Sequence, residues 1–183
     1  MNVRLLIDGD IIAYRVAAAC EHPVKWDEDL WTLHTSEAEV HAEITRVITG
    51  LQEKLETDDV VVALSDRMNF RKEINPDYKA NRAATRKPMG LKPAQDFLKT
   101  SYKAIVWPRL EADDCLGIMA TQNLSTDVII VSDDKDLMTI AGKHYQKGEL
   151  IEVSDRQAML NFYTQVLTGT TMANCVMWPT PMP

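Results

Sequence analysis

Cysteine is scarce and badly spaced for cross-linking: Cys20, Cys115 and Cys175 are the only three in 183 residues. An odd, widely separated set argues against a disulfide framework and fits reduced thiols in a cytoplasmic setting. Histidine is equally thin, with four residues, and no C-x-x-C pair occurs, so a zinc site is disfavoured. Long apolar runs are missing too. None approaches the ~18 residues of a membrane span. The first, Val3 to Ile7, is cut by Asp8 and Asp10, unlike a signal peptide. No internal repeat and no second domain are legible. What remains, 45% hydrophobic and 26% charged, suits one soluble globular domain with a full-sized core.

Charge is concentrated in two opposed places. The net value is −7, which taken alone argues against a polyanionic partner. Yet between Arg67 and Lys103 ten Lys or Arg residues stand against three acids, Glu73, Asp77 and Asp96. Local field matters more than the total for such a partner. On charge alone a solvated loop is the plainer explanation of that segment. The acids gather elsewhere. Trp107 to Leu137 carries Glu111, Asp113 and Asp114 at the start of a helix, then Asp133, Asp134 and Asp136 after a β-branched run. Carboxylates brought together raise one another's pKa unless a cation sits among them. A hydrated Mg²⁺, which takes oxygen ligands, is the expected occupant. Helix capping and the macrodipole are the competing explanation for E-A-D-D. Glu111 and Asp113 lie about 200° apart on an ideal helix, so they converge only if Glu111 precedes the first turn, as Pro108 allows.

Taken in order, a buried strand from Val3 to Ile7 ends at Asp8, and Gly9 turns into a helix over about 11–20. Asp8 sits where ligands gather in an open parallel sheet, although capping is also open to it. Residues 21–35 read as an irregular or hairpin insertion. Ser36 begins a helix to about Glu56, and Asp59 to Leu64 is a second near-continuous apolar strand followed by Ser65-Asp66. Asn69 to Gly90 is too polar for core. Within it, Tyr78 and Arg82 would share a helical face beside Lys79, a combination that suits stacked bases and phosphates, or an ordinary exposed loop. A helix over 92–100, a third strand over 103–106, the E-A-D-D helix and a fourth strand over 128–131 follow. Two short strands joined at Gly148 and a helix over 155–167 complete the pattern.

L-L-I-D-G-D at 5–10, F-R-K-E-I-N-P-D-Y-K-A-N-R at 70–82, E-A-D-D at 111–114, S-D-D-K-D-L at 132–137 and V-L-T-G at 166–169 occur in that order. Together they resemble the 5′-nuclease family: phage 5′→3′ exonucleases, flap endonucleases and the 5′-nuclease domain of bacterial DNA polymerases. Any one is weak; the ordered set spans nearly the full chain. The resemblance implies a PIN-like α/β fold, a twisted, mainly parallel sheet flanked by helices. It implies a catalytic domain over 1–167, with a basic, partly helical arch at about 68–92 through which a single strand passes. Asp8, Asp66, Glu111, Asp113, Asp114, Asp134 and Asp136 would hold Mg²⁺, with Mn²⁺ as substitute. Lys79 and Arg82 would engage the reacting phosphate, Tyr78 would stack on a base, and Arg71 and Lys72 would add nucleic-acid contacts. Asp113 and Asp134 join Lys79 and Arg82 as the implied catalytic set, while Asp10 and Asp133 are extra neighbouring acids.

The implied reaction is hydrolysis of a phosphodiester near a DNA 5′ end, single-stranded or flapped, with an RNA strand of a hybrid also compatible. Water attacks in line, metals stabilise the attacking and leaving oxygens, and Lys79 or Arg82 offsets charge on the equatorial ones. The implied setting is cytoplasmic, that of a bacterial host if the chain is phage-encoded. The resemblance breaks at the C-terminus. Where the family has two further acids and a glycine-rich duplex-binding motif, this chain has Thr170 and Ala173, then an irregular tail over 168–183. Losing the second metal group could weaken or abolish turnover, and the change in composition suggests a truncated or frame-shifted version. A catalytically inactive remnant that binds metal or single strands therefore stays open. So does an aspartate-nucleophile phosphatase built on Asp8 and Asp10, though Ile11-Ile12 stand where it wants a hydroxyl.

Overall fold

A computed structural model describes residues 3–80, 84–122 and 126–168. Its centre is β1 (Val3–Asp8), with β4 (Asp59–Ala63) paired in parallel on one side and β5 (Asp127–Val131) on the other. The register sets Leu6 against Val61 and Ile130, so the three apolar runs lie in step. β6 (Gly142–Gln146) extends the sheet in parallel, and β7 (Glu149–Val153) closes it antiparallel, in the order β4-β1-β5-β6-β7. The mainly parallel α/β expectation therefore holds.

Strand alternation divides the core into two. Leu5, Ile7, Val62, Ile129 and Val131 face one side and meet α1 (Gly9–Ala19), α2 (Glu37–Leu55) and α4 (Leu91–Ser101) through Ile12, Val16, Ile44, Ile48 and Leu98. Leu6, Ala63 and Ile130 face the other and meet Ala112, Cys115 and Leu116 of α5 (Ala112–Thr121) and Leu137 of a 3₁₀ turn, Lys135–Thr139. A sheet covered on both faces explains why its strands read as continuous apolar runs. Gly9 is required by this packing: a Cβ there would lie 2.7 Å from Ala63 O and from Val62 Cγ1.

The 21–35 insertion is an antiparallel hairpin, β2 (His22–Lys25) with β3 (Trp31–His34), separate from the main sheet. α3 (Phe70–Ile74) begins the basic segment, and α6 (Asp155–Thr168) follows β7. The expected third strand over 103–106 is corrected: only Ile105 pairs, through a single parallel bridge to Ala63. Lys103 has a left-handed backbone, φ 49, and Pro108 follows closely, so the extended stretch is too short for a ladder. Cys20 and Cys115 are buried free thiols. Arg82, Cys175 and the whole 169–183 stretch, including Thr170 and Ala173, lie outside the described residues.

Candidate functional site

The parallel order brings the ends of β1, β4 and β5 to one edge of the sheet, and the start of α5 to the same edge. Asp8 is 3% exposed there. Its Oδ1 accepts from Ile11 N–H at 3.1 Å, capping α1, and its Oδ2 accepts from the Ser132 hydroxyl at 2.9 Å. Capping and site geometry thus coincide in one residue. Burial, then repulsion from Asp10 and Asp134, outweighs those bonds and pushes the Asp8 carboxyl up to about 6. Asp113, on the first turn of α5, is pushed up to about 7 by burial and by the charges of Asp8 and Asp134. Asp136 is raised by burial and by Asp134. Three carboxylates distant in sequence, Asp8, Asp113 and Asp134, therefore act on one another, with Asp136 beside Asp134.

The remaining expected acids are placed differently. Asp114 accepts from both terminal nitrogens of Arg71 at 2.6 Å, and its Oδ2 also accepts from Glu111 N–H at 3.0 Å. Burial alone would raise its pKa, but the Arg71 bonds hold it below the ordinary value. Glu111 precedes α5, as its approach required, and is clasped by the basic segment: Tyr78 Oη donates at 2.8 Å and Lys79 Nζ at 2.7 Å. Asp66 stands apart from the mutual repulsion. Its carboxylate accepts from Arg109 N–H at 2.8 Å, which lowers its pKa. Asp133 is paired with Arg15 and accepts from Lys147 N–H. Asp10 accepts from Ser65 N–H at 3.0 Å.

Among the cations, Lys79 is 25% exposed at its side chain, adopts φ 55, and lowers the pKa of Asp113 and Asp136. A left-handed backbone at a non-glycine residue costs energy that the Glu111 contact helps to offset. The half-buried Tyr78 ring has Lys79 Nζ at 5.1 Å and Arg71 Cζ at 6.0 Å from its centre. Lys72 is exposed. Sequence reasoning missed the hydroxyls: Ser132 bridges Asp8 and the N–H of Asp134, and Ser65 Oγ accepts from Ala112 N–H. Serines just past strand ends were the available signal.

The chemistry of this donor set suits a hard divalent cation. Asp8 and Asp113 are crowded and desolvated, and Asp136 Oδ1 is buried with no hydrogen-bond partner, a cost that an ion would remove. Among the described residues no three His, Cys, Asp or Glu side chains are gathered into a ready-made cage. No described helix is long and apolar enough to cross a membrane.

Comparison with known proteins shows the family and the fold. The family model described as "5'-3' exonuclease, N-terminal resolvase-like domain" matches residues 3–166. The exodeoxyribonuclease of Enterobacteria phage T3 is 32% identical over 149 residues, covering 74% of this chain and 48% of that protein. The exonuclease of Escherichia phage T7 matches with the same figures, 32% over 149 residues, 74% and 48%. Flap endonuclease Xni of Shewanella baltica (strain OS185) is 28% identical over 153 residues, covering 81% and 55%. This chain thus spans about half the length of the curated relatives it matches. A bacteriophage T5 flap endonuclease solved with DNA and metal ions superposes with a TM-score of 0.69 at 18% identity, over 95% of this chain and 68% of that one. That likeness establishes a shared fold. The chain belongs to the family of 5′-3′ exonuclease N-terminal resolvase-like domains.

Proposed function

We propose that this chain is the catalytic domain of a divalent-metal-dependent 5′→3′ nuclease that hydrolyses phosphodiester bonds near the 5′ ends of DNA, as an exonuclease or flap endonuclease. The observation that carries the reading is the geometry past β1 and β5, where Ser132 bonds both Asp8 and the N–H of Asp134 and Asp136 Oδ1 is buried without a partner. Asp113 of α5 is near enough for the charges of Asp8 and Asp134 to raise its carboxyl. Asp8, Asp113, Asp134 and Asp136 would hold the ion, Mg²⁺ with Mn²⁺ as substitute. When bound, it supplies Lewis acidity toward the phosphodiester and the attacking water.

The chain's own residues do the rest. Lys79 sits on Glu111 at 2.7 Å, at the rim of the acid group. A DNA phosphate arriving there competes with Glu111 for the same ammonium and places its equatorial oxygens beside it. Tyr78, released from Glu111, offers a ring face to a base. Arg82 and Lys72 would extend the basic track along the backbone. Arg71 ties α3 to α5 through Asp114 and so fixes the basic segment over the site. Glu111, Asp114 and Asp66 complete the proposed acid set from its margin.

A second reading, a single-strand-binding remnant that does not cleave, is favoured by Glu111 and Asp114 already being neutralised by Lys79 and Arg71. The phosphatase reading loses its second aspartate, since Asp10 holds Ser65 N–H. Release of nucleotides from 5′-flapped DNA with Mg²⁺ or Mn²⁺ separates the first two. The nuclease reading expects metal-dependent release that Asp134→Ala abolishes. Equal residual release by parent and variant would assign it to contamination and leave the remnant.

A further inference from the structure

The basic segment is fastened at both ends, to two different helices. Its start is held by Arg71, whose terminal nitrogens reach Asp114 of α5 at 2.6 Å. Its far end is held by Glu21, just past the end of α1 and outside the acid group. The terminal nitrogens of Arg86 donate one to each Glu21 oxygen, both at 2.7 Å. Met89 N–H donates to the same Oε1 at 2.8 Å. The backbone beyond is seated closely. Pro88 and Gly90 are buried, and a Cβ on Gly90 would come within 2.9 Å of Val40 Cγ2 and 3.3 Å of Thr35 Oγ1. Between the two fastenings, Tyr78 and Lys79 reach Glu111.

A surface ion pair ordinarily contributes little. Glu21 differs in three respects. Its side chain is only 9% exposed. The guanidinium contact is bidentate, which fixes direction as well as distance. A main-chain N–H shares the carboxylate, so the contact constrains the path of the chain and not only a long side chain. Arg86, then Met89 N–H, hold the Glu21 carboxyl down at about 2, so it stays charged at neutral pH.

We infer that Glu21 is a positioning residue: it fixes the downstream end of the basic segment to α1, so that Tyr78 and Lys79 are carried over the acids along a set path. This rests on the proposed function, in which that segment meets the strand. α1 makes the link direct. The helix is capped by Asp8, and its 11 residues cover about 16 Å, so one rigid rod joins a site acid to the fastening. A segment whose path is set loses less conformational freedom on binding. The contact also occupies Arg86, which bonds Glu21 and, at 3.4 Å, Lys87 O, and so takes it out of the phosphate track.

Replacing Glu21 sets two effects against each other. Charge alone predicts that Glu21→Ala tightens DNA binding, since an anion is lost and Arg86 is freed. Positioning predicts the reverse. Affinity for a labelled single-stranded oligonucleotide, without metal, should fall about threefold or more. Glu21→Gln, whose amide oxygen can still accept from Arg86 and Met89 N–H, should recover most of it. Hydrogen exchange locates the change: the Met89 amide and its neighbours over 84–90 should exchange faster in Glu21→Ala, with β1 and α5 as in the parent. Equal or tighter binding by Glu21→Ala, a Gln variant no better than Ala, or unchanged exchange at Met89 would overturn the inference and leave the proposed nuclease standing. Faster exchange spread through β1 and α5 would overturn it too, by making Glu21 merely structural. A parent chain that binds no DNA would overturn the proposed function itself, and this role for Glu21 with it.

Discussion

Asp113 and Asp8 carry opposite consequences for stability and for function. Each has its folded pKa raised well above the ordinary 3.8, to about 7 and about 6. The native state then binds protons that the unfolded chain has released, so their contribution is fully present below about pH 4 and is lost as pH rises through 6 to 7. Without metal, the melting temperature should therefore fall between pH 5 and pH 8. Mg²⁺ should restore it far more at pH 8 than at pH 5. Asp113→Asn should flatten the metal-free slope and blunt the Mg²⁺ effect; a melting temperature independent of pH and metal in the parent would contradict this. Lys79 makes the complementary case. Removing it should weaken binding to single-stranded DNA and reduce the slope of log affinity against log salt by about one; an unchanged slope would mean that Lys79 never meets a phosphate. The letters Asp8, Asp113 and Asp134 could be singled out in the sequence because each follows a strand or opens a helix. Their separation from Asp66, and the capture of Asp114 by Arg71, could not be foreseen, because both depend on loop geometry that leaves no periodic trace.

At the scale of elements, two contacts decide how the site is held. Gly9 lets α1 start directly against β4, and Gly9→Ala would drive a methyl into the Ala63 carbonyl, which cannot retreat without shifting the strand. Overpacking of this sort costs about 1–3 kcal/mol, and denaturant unfolding should show a loss in that range. Arg71→Ala removes a bidentate, partly buried contact between α3 and α5. Hydrogen bonds to charged groups contribute about 1.5–3 kcal/mol, so the variant should be destabilised comparably, with faster proteolysis within 70–80. Stability and proteolysis equal to the parent would deny Arg71 its tying role. The strands over 3–8, 59–63 and 127–131 were legible because a doubly covered sheet writes them as apolar runs. The segment 103–106 reads the same way in sequence, yet forms only the Ile105 bridge because turns at Lys103 and Pro108 leave it no length. α6 was legible as a helix, whereas the exposure of its large apolar side chains was not, since periodicity cannot say which side meets the domain.

For the molecule as a whole, Asp8, Asp113, Asp134 and Asp136 lie toward one end of the sheet and the basic segment is tied beside them through Glu111 and Asp114, so the proposed nucleic-acid partner is compatible with a net charge of −7. The mainly parallel fold followed from the strand patterns and the ordered motifs together, while residues 21–35, legible as an irregular or hairpin insertion, have no counterpart in those motifs and form the hairpin. The proposed function depends on Asp8, Asp113, Asp134 and Asp136 sharing a cation. Titrating Mn²⁺ into the full chain at pH 7.5, and counting bound ion by its electron-spin signal, measures that directly. Saturable binding of at least one ion per chain, lost in Asp113→Asn and retained in Asp133→Asn, is the predicted result. Binding that is absent in the parent, or that survives Asp113→Asn unchanged, would contradict a shared site.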